Sequence, residues 1–293
     1  SGFTKGRDRS FHFGTQEYNI VGMISHLGPQ LALADGIALA SKVRDQKKAT
    51  IVFTGDGGAS EGDFHEALNV ASVWDLPVIF GIENNCWGLS TPSNEQFNCK
   101  QFIDKGIGYG MEAVQVNGNN ILEVISTIRK IAEDIRENPK PVLLEFMTFR
   151  MRGHEEASGT KYYPEGLQDD WEKYDPLTNF SEFLYANGIL TEDVENRYRI
   201  EIKKEIQDGL EMAYAEEDIV PNVETELKDL FTDFSQEVQT ASGNKTEKRL
   251  VDAIQDGLRQ SMEKYPDLVI MGQDVAEYGG VFKVTEGFVE QFG

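Results

Sequence analysis

Two stretches decide the fold: Ala49-Thr50-Ile51-Val52-Phe53-Thr54-Gly55-Asp56-Gly57, and Val78-Ile79-Phe80-Gly81-Ile82-Glu83-Asn84-Asn85. Each is a short apolar, β-branched run, which predicts a buried strand. Each ends in small or polar residues that stop the strand, Gly-Asp-Gly in one case and Asn-Asn in the other. Twenty-six residues, 58 to 83, separate Gly57 from Asn84. Phe64, Ala67, Leu68, Ala71 and Trp74 recur in that spacer at three to four residues and predict one buried helix face. Strand, helix and strand in that order predict neighbouring parallel strands. One carboxylate and one carboxamide then meet at their carboxyl edge, where α/β sheets bind ligands.

Working outward, Gly28 to Val43 carries a helical pattern at Leu31, Ala34, Ala38 and Leu39. Ser60 with Asp63 three residues on predicts a helix cap. Met111 to Val116 predicts another strand, Ile121 to Ile135 an amphipathic helix, and Val142 to Phe149 a buried strand. Alternating strands and helices predict an α/β domain: a parallel sheet with helices on both faces. This domain covers 1–165. An acidic connector, 166–245, follows, with two charged helices over 175–217, the first opened by Asp175-Pro176. Pro221, Gly243 and Asn244 punctuate its later part. Residues 246–293 begin a second α/β pattern: a helix to about 264, then a strand at Leu268-Val269-Ile270-Met271.

Composition limits the functions available. Lys and Arg number 28 against 50 Asp and Glu, a net charge of −22, so phosphate-backbone binding has no electrostatic footing. The two cysteines, Cys86 and Cys99, are too few for a disulfide framework and fit a reducing cytoplasm. No apolar run reaches membrane-spanning length, and Ser1 to Arg7 does not read as a signal peptide.

Gly55-Asp56-Gly57 alone has competing readings. A P-loop needs a Lys-Ser/Thr pair that is missing. An EF-hand needs a glutamate at the twelfth position from Asp56, where Ala67 stands. A dinucleotide fingerprint needs a third glycine where Ser60 stands. Paired with Asn84-Asn85, the motif instead offers hard oxygen ligands, which suit Mg²⁺ with a diphosphate supplying the remaining oxygens.

That pairing resembles the signature of thiamine diphosphate-dependent enzymes. The likeness is closer still to the α subunit of the decarboxylating component of 2-oxo acid dehydrogenases. It is carried by His12, Ser25 to Gly36, Gly55 to Asp63, Asn84-Asn85, Ser90-Thr91-Pro92 and Arg150 to His154. Asp274-Val275, Gly279-Gly280-Val281-Phe282 and Thr285-Glu286-Gly287 resemble the start of that enzyme's β subunit. The chain therefore resembles an α–β fusion of the branched-chain type with both ends trimmed. The resemblance implies oxidative decarboxylation of a 2-oxo acid and acyl transfer to a lipoyl group of an acyltransferase component. A branched-chain acid is the favoured substrate; pyruvate or acetoin is the alternative, and a non-catalytic cofactor-binding remnant is the rival. A cytoplasmic homo-oligomer of the full-length fusion, without nucleic-acid or membrane partners, is implied.

The resemblance also assigns roles. Asp56, the Asn85 amide oxygen and the Trp87 carbonyl would hold Mg²⁺. Gly55 would face the aminopyrimidine through its backbone. Leu27 would prop the cofactor in its bent form. Gly57, like Gly55, would let the backbone approach the ligand. His154 would stand near diphosphate and substrate, with His12 the second candidate on the substrate side. Asn84 would support the turn. The pyrimidine-activating glutamate is expected beyond Gly293. His26 and His65 are expected to pack beside the Gly-Asp-Gly turn, and Cys86 to pack beside the metal site.

Several positions depart from the family pattern. Glu155 replaces the serine that follows the active-site histidine in kinase-regulated members. Ala157-Ser158 replace acidic residues. Tyr163-Pro164 replace a Tyr-Arg pair that anchors the loop, and Gln273 stands in a Gly-Glu-Asp motif.

Overall fold

The computed structural model describes residues 12–22, 25–155, 157, 159–218, 220–228, 230–236, 238, 240, 243 and 245–293. Ser1 to Arg7, Ser158 and Asn244 lie outside the described residues. Two compact units form, Ser1–Ala215 and Glu216–Gly293.

In the first unit the elements run α1 (Pro29–Val43), β1 (Thr50–Gly55), α2 (Gly62–Val73), β2 (Val78–Asn84), β3 (Trp87–Gly88), β4 (Thr91–Pro92), α3 (Ser93–Gln96), α4 (Ile103–Gly108), β5 (Glu112–Asn117), α5 (Ile121–Glu137), β6 (Val142–Met147), α6 (Leu167–Glu172), α7 (Pro176–Ala186) and α8 (Glu192–Ala215). Strands β1, β2, β6 and β5 lie side by side in that order, all parallel. The short pair β3–β4 is an antiparallel hairpin.

The sheet separates two cores. On one face Leu31, Ala34, Phe64, Leu68, Phe80, Ile82, Phe102 and Leu143 are buried together, joining α1, α2 and the start of α4 to the strands. On the other face Ile131 and Ile135 of α5 meet Ile79, Val116, Val142, Leu144 and Phe146. The chain steps from β1 to β2 with α2 on the first face, and returns from β5 to β6 with α5 on the second. That reversal follows from right-handed crossovers. The carboxyl ends of these parallel strands form the edge where ligands bind in open α/β sheets. The expected helices on both faces of a parallel sheet are present.

Local capping explains several boundaries. Asn120 precedes α5 and its side chain accepts from Leu122 and Glu123 N–H at 3.2 and 3.4 Å. Asp175 caps α7, accepting from Thr178 N–H at 2.7 Å, with Pro176 in the first turn. Four sequence expectations fail. Ser60 and Asp63 form no capping box: Ser60 ends a 3-10 turn, Gly58–Ser60, and Glu61 precedes α2 without a side-chain cap. Asp63 instead packs against Gly28, whose φ is 104° and whose Cβ would stand 3.0 Å from the Asp63 Cβ. Trp74 lies past the end of α2 and is 44% exposed rather than on the buried face. His26 and His65 are exposed rather than packed beside the turn.

The second unit holds α9 (Val223–Lys228), α10 (Leu250–Lys264) and α11 (Phe288–Phe292). Thr285 is buried, donating its hydroxyl to the Val275 carbonyl at 2.7 Å and its N–H to the Gly279 carbonyl at 2.9 Å. Gln255 of α10 donates to the carbonyls of Lys283 and Glu286, both at 3.3 Å. The strand expected at Leu268 to Met271 does not form. Val269 and Met271 are exposed, and no strand pairs with the segment among the described residues. An extended run without a neighbour cannot fill its ladder of backbone hydrogen bonds.

Candidate functional site

The register of β1 against β2 pairs Gly55 with Glu83, so Asp56 stands level with Asn84 at the carboxyl edge. Asp56 is only 1% exposed. Ser93 at the start of α3 donates its hydroxyl to Asp56 Oδ2 at 2.9 Å. Burial pushes the Asp56 carboxyl up. Ser93, the backbone N–H groups of Asp56 and Gly57, and the charge of Arg150 oppose that rise.

The second half of the site is a turn built from two consecutive asparagine side chains. Asn84 Oδ1 accepts from Cys86 N–H at 2.9 Å, and Asn85 Oδ1 accepts from Trp87 N–H at 3.0 Å. Such side-chain-to-backbone closures are the reason asparagine is favoured in turns. Cys86 sits at φ 66°, a left-handed conformation that the two closures hold in place. Its thiol is pushed up by burial and by the nearby Asp56 and Glu145 charges. Asn84 is buried and donates its amide to Glu145 Oε1 at 2.7 Å and toward Met147 Sδ at 3.6 Å. Asn85 is half-buried. Trp87 is paired across the hairpin with Pro92, which has no N–H, so that pairing takes nothing from the Trp87 carbonyl.

The glycines divide into two kinds. A Cβ on Gly55 would meet nothing within 4 Å, so the backbone there faces open space. A Cβ on Gly57 would stand 3.0 Å from the Gly88 Cα. On the side a Cβ would take, Gly57 is packed against the β3–β4 hairpin, so its lack of a side chain admits that close approach. Leu27 overhangs the same turn, its Cβ 3.9 Å from where a Cβ on Gly58 would be, and it is 62% exposed.

Arg150, just past β6, gathers the third side. It donates to the Leu89 carbonyl at 2.7 Å, to the Tyr162 hydroxyl at 2.9 Å and to His154 Nδ1 at 3.0 Å. Arginine only donates, so His154 Nδ1 is the acceptor and its neutral ring carries the proton on Nε2. Tyr163 donates to the Arg150 carbonyl at 2.9 Å, and Trp87 packs against both Tyr162 and Tyr163. These two tyrosines anchor the loop where the sequence lacks the Tyr-Arg pair. His12 Nε2 lies 2.7 Å from Ser25 Oγ, which ties it to the segment leading to Leu27.

Sequence reasoning missed Ser93, Glu145, Tyr162 and the hairpin. Glu145 had a signal: a carboxylate in the middle of Val142-Leu143-Leu144-Glu145-Phe146 is fully buried, and such groups are almost never left unpaired. Hollows of about 200 Å³, lined by Phe53, Glu83 and Val124, and about 410 Å³, lined by Gln115, Trp171 and Tyr174, do not include Asp56 or Asn85. The chemistry at the carboxyl edge marks the site instead. Among the described residues no cluster of three or more His, Cys, Asp or Glu could hold a metal alone. One buried carboxylate with an amide and a carbonyl oxygen is a hard donor set that suits an ion whose other ligands come from a diphosphate. The residues present fit that group. No described helix is long and apolar enough to cross a membrane.

Residues 1–223 match the family model described as dehydrogenase E1 component. The chain is 34% identical over 234 residues to the mitochondrial 2-oxoisovalerate dehydrogenase subunit alpha 2 of Arabidopsis thaliana, covering 79% of this chain and 49% of that protein. It is 34% identical over 221 residues to the 2-oxoisovalerate dehydrogenase subunit alpha of Bacillus subtilis, covering 73% and 67% respectively. It is 35% identical over 192 residues to the pyruvate dehydrogenase E1 component subunit alpha of the same bacterium, covering 65% and 52%. The matched part thus spans between about half and two thirds of these relatives.

Proposed function

This chain belongs to the dehydrogenase E1 component family, and on that premise we propose that it carries the thiamine diphosphate- and Mg²⁺-binding half of a 2-oxo acid dehydrogenase. The observation that carries the reading is the buried Asp56 carboxylate, level with the Asn84–Trp87 turn at the carboxyl edge of β1 and β2. Asp56, Asn85 Oδ1 and the Trp87 carbonyl hold the ion, and the diphosphate supplies its other oxygens. The open space at Gly55 receives the aminopyrimidine, and Leu27 supports the cofactor from above the turn. The cofactor, once bound, supplies the electron sink that decarboxylation of a 2-oxo acid requires. His154, held by Arg150 through Nδ1, presents its Nε2–H to an anionic group and can move that proton. His12 lines the substrate side. The partners are then a 2-oxo acid and a lipoyl-bearing acyltransferase, and the full-length fusion is a cytoplasmic homo-oligomer.

A branched-chain 2-oxo acid is the favoured substrate. The pyruvate relative, at 35% identity against 34% for the branched-chain ones, keeps pyruvate as the second reading. The deciding experiment is decarboxylation by the full-length protein against a panel of 2-oxo acids, with thiamine diphosphate, Mg²⁺ and an artificial electron acceptor. Turnover of a branched-chain acid above pyruvate and acetoin supports the proposal; turnover of none returns the chain to a non-catalytic role.

A further inference from the structure

Glu145 is 0% exposed, yet its carboxylate is crowded with donors. Oε1 accepts from Asn84 Nδ2 at 2.7 Å. Oε2 accepts from Phe102 N–H at 3.0 Å, Ile103 N–H at 3.4 Å and Gln115 Nε2 at 3.0 Å. It thus joins β6, β2, β5 and the start of α4. A buried carboxylate is kept only when paired or well hydrogen-bonded, and this one has four donors and no cation among them.

The consequence runs outward to the site. With its NH₂ committed to Glu145, Asn84 must turn its oxygen toward Cys86 N–H, which it meets at 2.9 Å. That closure sets the left-handed Cys86. The Cys86 carbonyl then accepts from Ser93 N–H at 2.9 Å, and the Ser93 hydroxyl donates to Asp56 Oδ2 at 2.9 Å. A continuous hydrogen-bonded path therefore leads from the buried carboxylate of β6 to the carboxylate that ends β1. Asn85 and Trp87 lie on the turn that this path fixes.

We propose that Glu145 is a positioning residue for the ion site: by dictating which way the Asn84 amide faces, it sets the Asn84–Trp87 turn and hence the placement of Asn85 and Trp87 relative to Asp56. The role rests on the cofactor reading above for its ligand, but not for its geometry. Glu145→Gln keeps the size and replaces one acceptor oxygen by a donor, which must then face either Asn84 or the Phe102 N–H. The double variant Glu145→Gln with Asn84→Asp reverses the polarity of the pair. The introduced glutamine then donates to the new carboxylate, which still accepts from Cys86, and keeps its own oxygen for Phe102.

The test uses the full-length protein and two readouts. Amide hydrogen exchange at Cys86 and Trp87 reports the turn without any ligand. Titration calorimetry with Mg²⁺ and thiamine diphosphate reports the ion site. Glu145→Gln is expected to speed exchange at both amides and to weaken Mg²⁺-dependent binding about tenfold, the loss of one hydrogen bond to a charged group. The double variant is expected to restore both toward wild type. Unchanged exchange and affinity in Glu145→Gln overturns the role. If the single variant does not fold, a double variant that also fails to fold, or that folds with both amides still exposed, overturns it equally. Wild-type protein that binds no thiamine diphosphate overturns the cofactor reading, while the exchange result still decides the role of Glu145 in the turn.

Discussion

The Ser93 hydroxyl donates to Asp56 Oδ2 at 2.9 Å, so the residue that opens α3 steadies the carboxylate that ends β1. Burial raises the Asp56 carboxyl and Ser93 opposes the rise. Removing the hydroxyl lets the proton compete more strongly with a metal ion, which binds only the ionised form. Ser93→Ala should therefore weaken Mg²⁺-dependent thiamine diphosphate binding about three- to tenfold at neutral pH. As the pH is lowered, its binding should fail at a higher pH than that of wild type. Calorimetric titrations at neutral pH and at a series of lower pH values check both the size and the direction. Asp56→Ala should abolish the metal dependence altogether.

Asn84 and Asn85 separate stability from binding. Truncating Asn84 strands the buried Glu145 oxygen and the Cys86 N–H. Asn84→Ala should cost about 1–3 kcal/mol of stability. Asn85→Ala loses one half-exposed turn bond, to Trp87 N–H, together with the proposed ion ligand. It should melt within a few degrees of wild type yet bind Mg²⁺ and thiamine diphosphate far more weakly. Denaturant melts paired with calorimetry would expose the reverse order, which would undo the assignment of Asn85.

Much of this was legible because the two decisive strands end in residues that cannot continue them. Thr50–Gly55 and Val78–Asn84 carry the period and the stop signals in one short reading. The amphipathic α5 was equally plain, with its apolar residues three and four apart. The hairpin was not, since Trp87-Gly88 and Thr91-Pro92 pair over only two residues and rest on tertiary contact with Gly57 and Arg150. Ser93 was invisible for the same reason, because its partner lies 37 residues away. The strand expected at Leu268–Met271 shows the opposite error: an apolar run states a preference, but a strand needs a neighbour.

Gly55 and Gly57 should respond oppositely to an added methyl group. At Gly55 nothing lies within 4 Å of the new carbon, so Gly55→Ala should leave stability within about 0.5 kcal/mol of wild type. Its cost should appear as weaker cofactor binding. At Gly57 the carbon stands 3.0 Å from the Gly88 Cα, and backbone cannot step aside as a side chain can. Gly57→Ala should lose about 1–3 kcal/mol of stability. Equal melting temperatures for the two variants would contradict the close approach of the turn and the hairpin.

Asp35, on the buried face of α1, has an Oδ1 without a hydrogen-bond partner among the described residues, and burial pushes its carboxyl up to about 7. Its folded-state value lies above the unfolded one, so the folded state holds the extra proton between about pH 4 and pH 7. Stability should therefore fall as pH rises through that window and stay reduced above it. Asp35→Asn removes the titration. Its melting temperature should change less between pH 5 and pH 8 than that of wild type, with the gain over wild type seen at pH 8. A variant that retains the full wild-type difference would assign the pH dependence elsewhere.

Arg150 and His154 should act as one unit. Arg150 holds the hairpin through the Leu89 carbonyl, the loop through Tyr162 and the imidazole through Nδ1. His154 is exposed, and Arg150 is what orients its ring. His154→Ala in the full-length protein should lower acylation of a lipoyl domain about 10²- to 10⁴-fold, the usual range for a lost proton-transfer group. Arg150→Met leaves the imidazole in place but frees it to rotate, and should lose most of that factor. The double variant should be little worse than His154→Ala, because a residue that works through another adds nothing once the other is gone. Thiamine diphosphate affinity should fall less in His154→Ala than in Asp56→Ala, since the ion still neutralises the diphosphate. Acylation rates and calorimetry on wild type and the four variants separate the cases. Multiplying losses would make Arg150 an independent contributor, and wild-type acylation in His154→Ala would return the histidine, and the loop that carries it, to a structural role.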